Sequence, residues 1–273
     1  MPLMYFSITS TAATIARIAG IKPPQHAESE NSAVIEKAAV VFGGRNADRV
    51  FLYNPDAIAN WLFRKYTQFF TPALIRTSIQ IPVHSVMPSV TPVCFASMYT
   101  GAKPEIHGIQ AYVKPVVKTE TLFDAYIKAG KKPVIVATEG DSMSKIFLER
   151  KMDYYFFDTP EKCNKKAVEL IRRNEHDLIV LYNGNYDYCM HRNGPEAKNS
   201  LGKLRKNIET YAKMHDLIRK EWKDNNTLLA FLPDHGCHEL DGKTGGNKKL
   251  GSHGLDMPED MEIVHMYGFK AAG

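Results

Sequence analysis

Cysteine is scarce in this chain, with four in 273 residues, and the four form no C-x-x-C pair. A disulfide framework and a zinc ribbon both need denser or regularly paired cysteines, so the sequence excludes both. Unpaired, scattered cysteines are typical of proteins in a reducing compartment. The sequence therefore predicts a cytoplasmic protein.

Long apolar runs are also missing, since no stretch approaches the roughly 20 residues that cross a bilayer. The segment 1–21 lacks a basic start, and Ser7 and Thr9 interrupt its apolar centre, so we expect neither a signal peptide nor membrane attachment. The net charge is small, at +5, and the basic residues are spread along the chain. This charge suits an anionic substrate, and the scattered basic residues do not indicate nucleic-acid binding beyond a nucleotide as substrate.

What the sequence does contain is a regular alternation of short β-rich runs with helical segments. Several runs are continuously apolar, as in Leu178–Leu181 and Leu228–Leu232, which is expected of strands covered on both faces. The pattern predicts one α/β domain over residues 1–273, with a mostly parallel central sheet flanked by helices on both faces. The predicted strands are Arg49–Tyr53, Ser78–Val83, Pro133–Thr138, Tyr154–Phe157, Asp177–Tyr182, Thr227–Leu232 and Glu262–Phe269, and the clearest helices are Ala57–Phe70, Thr121–Ala129, Pro160–Arg173 and Leu201–Trp222.

Acidic residues follow three of these strands. Asp56 comes after the first strand, Asp187 after the fifth, and Asp234 and His235 after the sixth. Because ligands of open α/β sheets bind beyond the carboxyl ends of the strands, the three acidic loops are expected to converge on one crevice. Each residue alone is more often a loop cap or a surface group, but so many carboxylates buried together without a cation would be costly.

Mixed carboxylate and imidazole ligands suit Zn²⁺, and also Mn²⁺ or Fe²⁺. His191 lies four residues beyond Asp187, and His253 is flanked by glycines in a Gly-Ser-His-Gly stretch. Cys189 and Cys237 lie close to these residues and are the alternative ligands. His107 and His238 are interpreted as supporting or structural residues.

A hydroxyl group stands at the predicted start of another helix. Thr91 precedes Pro92, which predicts Thr91 as the N-cap and Pro92 as the first helical residue. The free N–H groups and the dipole of a helix N-terminus favour an incoming phosphate. An ordinary capped helix explains this segment equally well when it is taken alone.

Four motifs in order resemble those of the type I phosphodiesterase / nucleotide pyrophosphatase branch of the alkaline phosphatase superfamily. The first runs from Pro88 through Thr91 and Gly101 to Ile109, and the second is Tyr182-x4-Asp187-x3-His191. Asp234-His235-Gly236 and the Ser-His-Gly around His253 resemble the third and the last. Together they span roughly residues 49–254.

The resemblance implies an alkaline phosphatase-like three-layer sandwich with a minimal cap and a two-metal site. One cation, most simply Zn²⁺, would be held by Asp56, Thr91, Asp234 and His235, and the other by Asp187, His191 and His253. Thr91 would be the nucleophile and would form a phospho-threonine intermediate. The implied activity is metal-dependent hydrolysis of phosphate esters, either diesters or monoesters.

The chain also departs from the family's pattern. The first metal-binding Asp is usually followed by Gly, whereas Ala57 follows Asp56 here, and Asn54 is the competing ligand. Cys94 and Tyr112 stand where asparagines commonly contact the substrate phosphate. The chain is short for the family, so residues 193–203 and 241–250 are the expected contributors to the substrate pocket.

Two other readings stay open. A phosphonate hydrolase or a phosphosugar mutase uses the same scaffold. A catalytically silent protein that binds a phosphorylated ligand would also keep the fold, although it has no need of Thr91 together with six metal-type ligands.

Overall fold

The computed structural model describes residues 5–240 and 250–273. In chain order the strands are β1 (Phe6–Ser7), β2 (Arg49–Pro55), β3 (Ile79–His84), β4 (Pro133–Thr138), β5 (Asp153–Phe157), β6 (Leu178–Asn183), β7 (Thr227–Phe231), β8 (His238–Glu239), β9 (Gly251–Ser252) and β10 (Glu262–Lys270). All seven predicted strands are confirmed, with ends shifted by at most two residues. Strand β1 and the short β8–β9 pair were not predicted.

Helices fill the connections. They are α1 (Ser10–Ile18), α2 (Ser32–Phe42), α3 (Asn60–Lys65), α4 (Thr67–Leu74), α5 (Thr91–Thr100), α6 (Pro104–His107), α7 (Leu122–Lys128), α8 (Pro160–Arg173), α9 (Asn185–Asn193), α10 (Lys198–Glu221) and α11 (Pro258–Met261). The single helix predicted over 57–70 is wrong, because the chain breaks at Tyr66 into α3 and α4. Among the described residues, no helix is long and apolar enough to span a membrane.

The main sheet has eight strands in the order β1-β3-β10-β7-β2-β6-β4-β5. Within the described sheet, β10 runs antiparallel to both of its neighbours and every other pair is parallel. The central strands β7, β2 and β6 are buried along most of their length. The mostly parallel sheet that the sequence predicts is confirmed.

Alternate residues of the central strands belong to two separate hydrophobic cores. Leu52 and Val180 face a core shared with α1, α2, α5 and α7. Phe51 and Ile179 face the other core, with α3, α4, α8 and α10. Two cores on opposite faces of one sheet make a three-layer sandwich, which confirms the expected fold class. That residues 1–273 form a single domain stays a prediction.

The parallel strands β2, β4, β6 and β7 all end at the same edge of the sheet, as parallel pairing requires. Asp56 follows β2, Asp141 follows β4, and Asp234 follows β7. Asp187 is not in a loop, as the sequence suggested, but in the first turn of α9 directly after β6. This edge carries the site.

Candidate metal centre

Asp56, Asp234 and His235 form a first group of metal-type ligands at the ends of β2 and β7. All three are buried. Nε2 of His235 lies 3.4 Å from Oδ1 of Asp56 and 3.3 Å from Oδ2 of Asp234. The strands that carry them are direct neighbours in the sheet, so the convergence follows from the strand register.

The hydroxyl of Thr91 joins this first group. Its Oγ1 lies 3.4 Å from Oδ2 of Asp56 and 3.3 Å from Nε2 of His235. The predicted N-cap role is wrong by one residue, since Val90 is the N-cap and Thr91 begins α5. As the first helical residue, Thr91 makes no capping hydrogen bond, and its hydroxyl is directed at the ligand group instead.

Asp187, His191 and His253 form the second group. Asp187 and His191 lie one turn apart on α9, where side chains four residues apart share a face. Oδ1 of Asp187 is 3.3 Å from Nε2 of His191 and 3.4 Å from Nε2 of His253. The two imidazole Nε2 atoms are 3.2 Å apart.

Asp56 with its neighbour Thr91, and all three residues of the second group, line one cavity of about 960 Å³. The rings of His235 and His253, one from each group, stack with their centroids 4.0 Å apart. Two exposed aromatic side chains, Tyr112 and Tyr188, also line the cavity. The site therefore has room for a substrate larger than a phosphate group.

The spacing of the ligand atoms fits bound cations. A tetrahedral zinc ion with ligands about 2.05 Å away holds those ligands about 3.3 Å from one another. The separations within the two groups lie between 3.2 and 3.4 Å. One oxygen of each carboxylate is buried without a hydrogen-bond partner among the described residues: Oδ1 of Asp56, Oδ1 of Asp187 and Oδ2 of Asp234. A cation would satisfy these oxygens.

The imidazole rings are fixed from behind by backbone carbonyls. Nδ1 of His235, His191 and His253 donates to the carbonyl oxygens of Gly236, Gly251 and Ser89, each at 2.9 Å. Metal-binding histidines characteristically donate their second ring nitrogen in this way, which fixes the tautomer. All three rings therefore present an unprotonated Nε2 to the ligand group.

The electrostatics of the first group also favour a cation. Burial, followed by the neighbouring carboxylates, raises the pKa of Asp56 well above its usual range, and burial likewise raises the pKa of Asp234. Burial lowers the pKa of His235. A bound cation would stabilise all of these groups in their ligating forms.

Ala57 explains why a glycine is the usual residue after the first Asp. Its φ of 62° lies in the left-handed region that favours glycine. In this conformation the Ala57 N–H donates to Oδ1 of Asp234 at 3.2 Å. The chain thus keeps the backbone geometry of the motif despite its side chain.

The structure distinguishes Asp56 from Asn54. The side chain of Asn54 is buried beneath the site, where it donates to the carbonyl of Leu232 at 2.9 Å and accepts from the Tyr99 hydroxyl at 2.6 Å. It is therefore engaged inside the core, whereas Asp56 lines the cavity.

Cys94 and Tyr112, the two predicted substrate contacts, are placed differently. Tyr112 is 61% exposed and lines the cavity. The Cys94 thiol is buried in the core, with Sγ 3.1 Å from the Ser85 hydroxyl, and it is not among the described residues that line the cavity. The Cys94 side chain thus packs beside Ser85 and Val86 instead of lining the cavity.

The other sequence candidates also lie outside the two groups. Cys189 and Cys237 are buried free thiols, and neither is in a ligand group of the described residues. His107 pairs with Ser97 at 2.9 Å and His238 with Asp260 at 2.8 Å, which suits structural roles. Residues 193–203 do not line the described cavity. Residues 241–249 lie outside the described residues.

Tyr182, Lys114, Asp141 and Arg192 are among the cavity-lining residues that were not predicted as site residues. Tyr182 donates to Oδ2 of Asp56 at 2.5 Å. For Tyr182 the signal was its place at the start of the second motif, and for Asp141 its place after a strand that ends at the site edge.

Part of the chain matches a known protein family. A family model described as type I phosphodiesterase / nucleotide pyrophosphatase matches residues 53–139, which include Asp56 and Thr91. The resemblance read from the motifs is confirmed. No curated protein matches the chain by sequence.

Solved structures extend the likeness to the rest of the chain. Human ectonucleotide pyrophosphatase / phosphodiesterase 5 matches with a TM-score of 0.64 and 14% identity, covering 82% of this chain and 88% of that chain. The murine protein of the same name, inactive and in complex with AMP, matches with a TM-score of 0.62, 14% identity and the same coverage. At such identity these matches show a shared fold.

Proposed function

We propose that this protein is a metal-dependent hydrolase of phosphate esters with two divalent cations and a threonine nucleophile. The observation that carries the proposal is the convergence of six ligand side chains into two adjacent groups, with the Thr91 hydroxyl beside the first. Two cations in such a site act as Lewis acids that lower the pKa of a bound hydroxyl and neutralise charge on phosphoryl oxygens.

Thr91 performs the first step. Its Oγ1 forms a bond to phosphorus while the ester bond to the alcohol breaks, and the alcohol departs with a proton. The resulting phospho-threonine is then attacked by water, which breaks the Oγ1–phosphorus bond and restores the hydroxyl. Thr91 is the first residue of α5, where the positive end of the helix dipole favours a phosphate group.

Tyr182 keeps Asp56 in position for this chemistry. Its hydroxyl is buried and donates to Oδ2, so Oδ1 of Asp56 remains directed at His235. A hydrogen bond to a carboxylate inside the protein contributes about 1.5–3 kcal/mol. Tyr182 is thus a positioning residue.

The relatives support this assignment. The family whose model matches residues 53–139 is described by its phosphodiesterase and pyrophosphatase activities. The murine structural neighbour is an inactive threonine-to-alanine variant in complex with AMP. The natural metal, proposed as Zn²⁺ with Mn²⁺ or Fe²⁺ as alternatives, and the cytoplasmic location stay predictions.

Replacing Thr91 by alanine tests the proposal. Hydrolysis of p-nitrophenyl phosphate and bis-p-nitrophenyl phosphate should fall by at least about a thousand-fold because the nucleophile is gone. Metal content should stay near two per chain, since six other ligands remain. Comparing the two esters in the wild-type protein also separates monoesterase from diesterase activity.

Thr100→Ala is the matched control, because Thr100 is a buried threonine at the other end of α5 and donates to the Ala96 carbonyl. It should keep most of the activity. Wild-type turnover in Thr91→Ala would show that the nucleophile is another group. A wild-type protein that binds fewer than one metal per chain under replete conditions would favour the alternative of a silent phosphoryl-binding protein.

A further inference from the structure

The cavity extends well beyond the two ligand groups, towards the end of β4. There it is lined by Asp141 and Ser142 from the β4 end and by Tyr112 and Lys114 from the loop after α6. We call these four residues the β4 wall. Gly184 leaves space in front of it: a Cβ at Gly184 would lie 3.4 Å from Oδ2 of Asp141 and 2.7 Å from the Tyr182 hydroxyl.

The β4 wall pairs an acid with a base. Nζ of Lys114 donates to the carbonyl oxygen of Gly140, the residue before Asp141, at 3.0 Å. Burial raises the pKa of Asp141 to about 6, and the Lys114 charge is the largest influence that opposes this rise. The ammonium group also lies 5.3 Å from the centre of the Tyr112 ring. The wall is therefore close to neutral and offers an acceptor, a donor and an aromatic face.

This combination suits one kind of chemical group. The Asp141 carboxylate can accept hydrogen bonds from two hydroxyl groups, and the Lys114 ammonium or the Ser142 hydroxyl can donate to ether or hydroxyl oxygens. The face of the Tyr112 ring can pack against C–H groups. We propose that the β4 wall binds a neutral, polyhydroxylated group, a sugar or polyol, esterified to the phosphate that the ligand groups bind. This inference rests on the proposed function.

Other substituents match the β4 wall less well. A second phosphoryl group would face the Asp141 carboxylate. A substrate ammonium group would meet Lys114 and also Arg192, which lines the same cavity and whose guanidinium lies 4.0 Å from the Tyr188 ring centre. An alkyl chain would remove water from Asp141 and Lys114 without replacing their hydrogen bonds, which is unfavourable.

Calorimetric binding to the metal-loaded full chain tests the inference, with Thr91→Ala present throughout so that the probes are not hydrolysed. The probes are ribose 5-phosphate, methyl phosphate and ethanolamine phosphate. The chain with an unaltered β4 wall should bind ribose 5-phosphate at least about ten-fold more tightly than methyl phosphate, as expected for added hydrogen bonds to a charged group.

Asp141→Ala should weaken the binding of ribose 5-phosphate without weakening that of methyl phosphate. Ribose 5-phosphate loses its acceptor and should bind about ten-fold more weakly. Methyl phosphate, an anion, should bind equally or more tightly once a carboxylate is removed from the cavity. A purely electrostatic or purely structural role of Asp141 would change both affinities in the same direction.

Two further variants make the result decisive. Glu139→Ala removes an exposed carboxylate two residues away and should leave the ratio of the two affinities unchanged. Asp141→Asn keeps one acceptor oxygen and should give an intermediate ratio even if Asp141→Ala fails to fold. A ratio that is unaffected in both Asp141 variants, or tighter binding of ethanolamine phosphate than of ribose 5-phosphate, would overturn the inference.

Failure of the proposed function has a different signature. A chain that binds these probes with the expected ratio but hydrolyses no phosphate ester would retain the β4 wall as a sugar site and lose the hydrolase assignment. A chain that hydrolyses phosphate esters, but whose affinity ratio for the probes does not depend on Asp141, would keep the hydrolase assignment and lose the sugar site.

Discussion

Removing the proposed cations should lower the free energy of unfolding by the sum of two contributions, one from each site. Each ligand group buries carboxylate oxygens that have no hydrogen-bond partner among the described residues. A cation at a thousand times its dissociation constant stabilises the folded state by about 4 kcal/mol per site. For 273 residues the unfolding entropy is about 0.57 kcal/mol/K. Each site should therefore raise the melting temperature by roughly 7 °C, and both sites together by roughly 14 °C.

The assay is thermal unfolding with saturating Zn²⁺ and after exhaustive chelation, in wild-type protein and two variants. Asp187→Asn breaks the second group, so its chelation shift should be about half that of the wild type. Asp158→Asn changes an exposed carboxylate that pairs with Lys162 on the surface, and it should keep the full shift.

Two results would refute the reasoning behind this prediction. A wild-type shift below about 2 °C would mean that the groups hold no cation tightly. An equal shift in Asp187→Asn and the wild type would mean that Asp187 is not a ligand.

Two further substitutions, Ala57→Gly and His265→Gln, test the backbone and the buried histidine close to the site. Ala57→Gly should stabilise the protein by about 0.5–1 kcal/mol in denaturant titrations by relieving the left-handed backbone, whereas Ala59→Gly, at a φ of −71°, should destabilise it. Burial lowers the pKa of His265 to about 4, and its Nε2 donates to the Pro233 carbonyl. Since the unfolded chain binds that proton near pH 6.5, wild-type stability should fall between pH 6.5 and 4 by up to about 3 kcal/mol more than in His265→Gln. An equal pH dependence in the two proteins would contradict this.

The proposed ligand set could be predicted from the sequence because each candidate follows a recognisable strand or lies in a recognisable motif. Asp56 and Asp234 follow apolar runs that can only be buried parallel strands, and parallel strands end together. Asp187 and His191 are four residues apart, which places them on one face once the segment is helical. His253 was predicted from its motif alone, because the residues around it show little hydrophobic periodicity.

Details of orientation were beyond the sequence. Cys94 faces the core because of the rotation of α5 about its axis, which the packing of the whole helix decides. Ala57 takes a positive φ that its residue type disfavours, since the hydrogen bond to Asp234 and the surrounding chain impose it. Local propensity cannot reveal either effect.

The sequence by itself determined the alternation of strands and helices, the sheet edge at which the acidic residues converge, and which acids and histidines are candidate ligands, because these follow from hydrophobic period and residue type. Only the tertiary structure decided that Tyr182 holds Asp56, that backbone carbonyls orient all three imidazoles, and that Asp141 with Lys114 forms a second wall of the cavity. Those contacts join residues far apart in the chain, and their geometry depends on how strands and helices pack, not on local sequence.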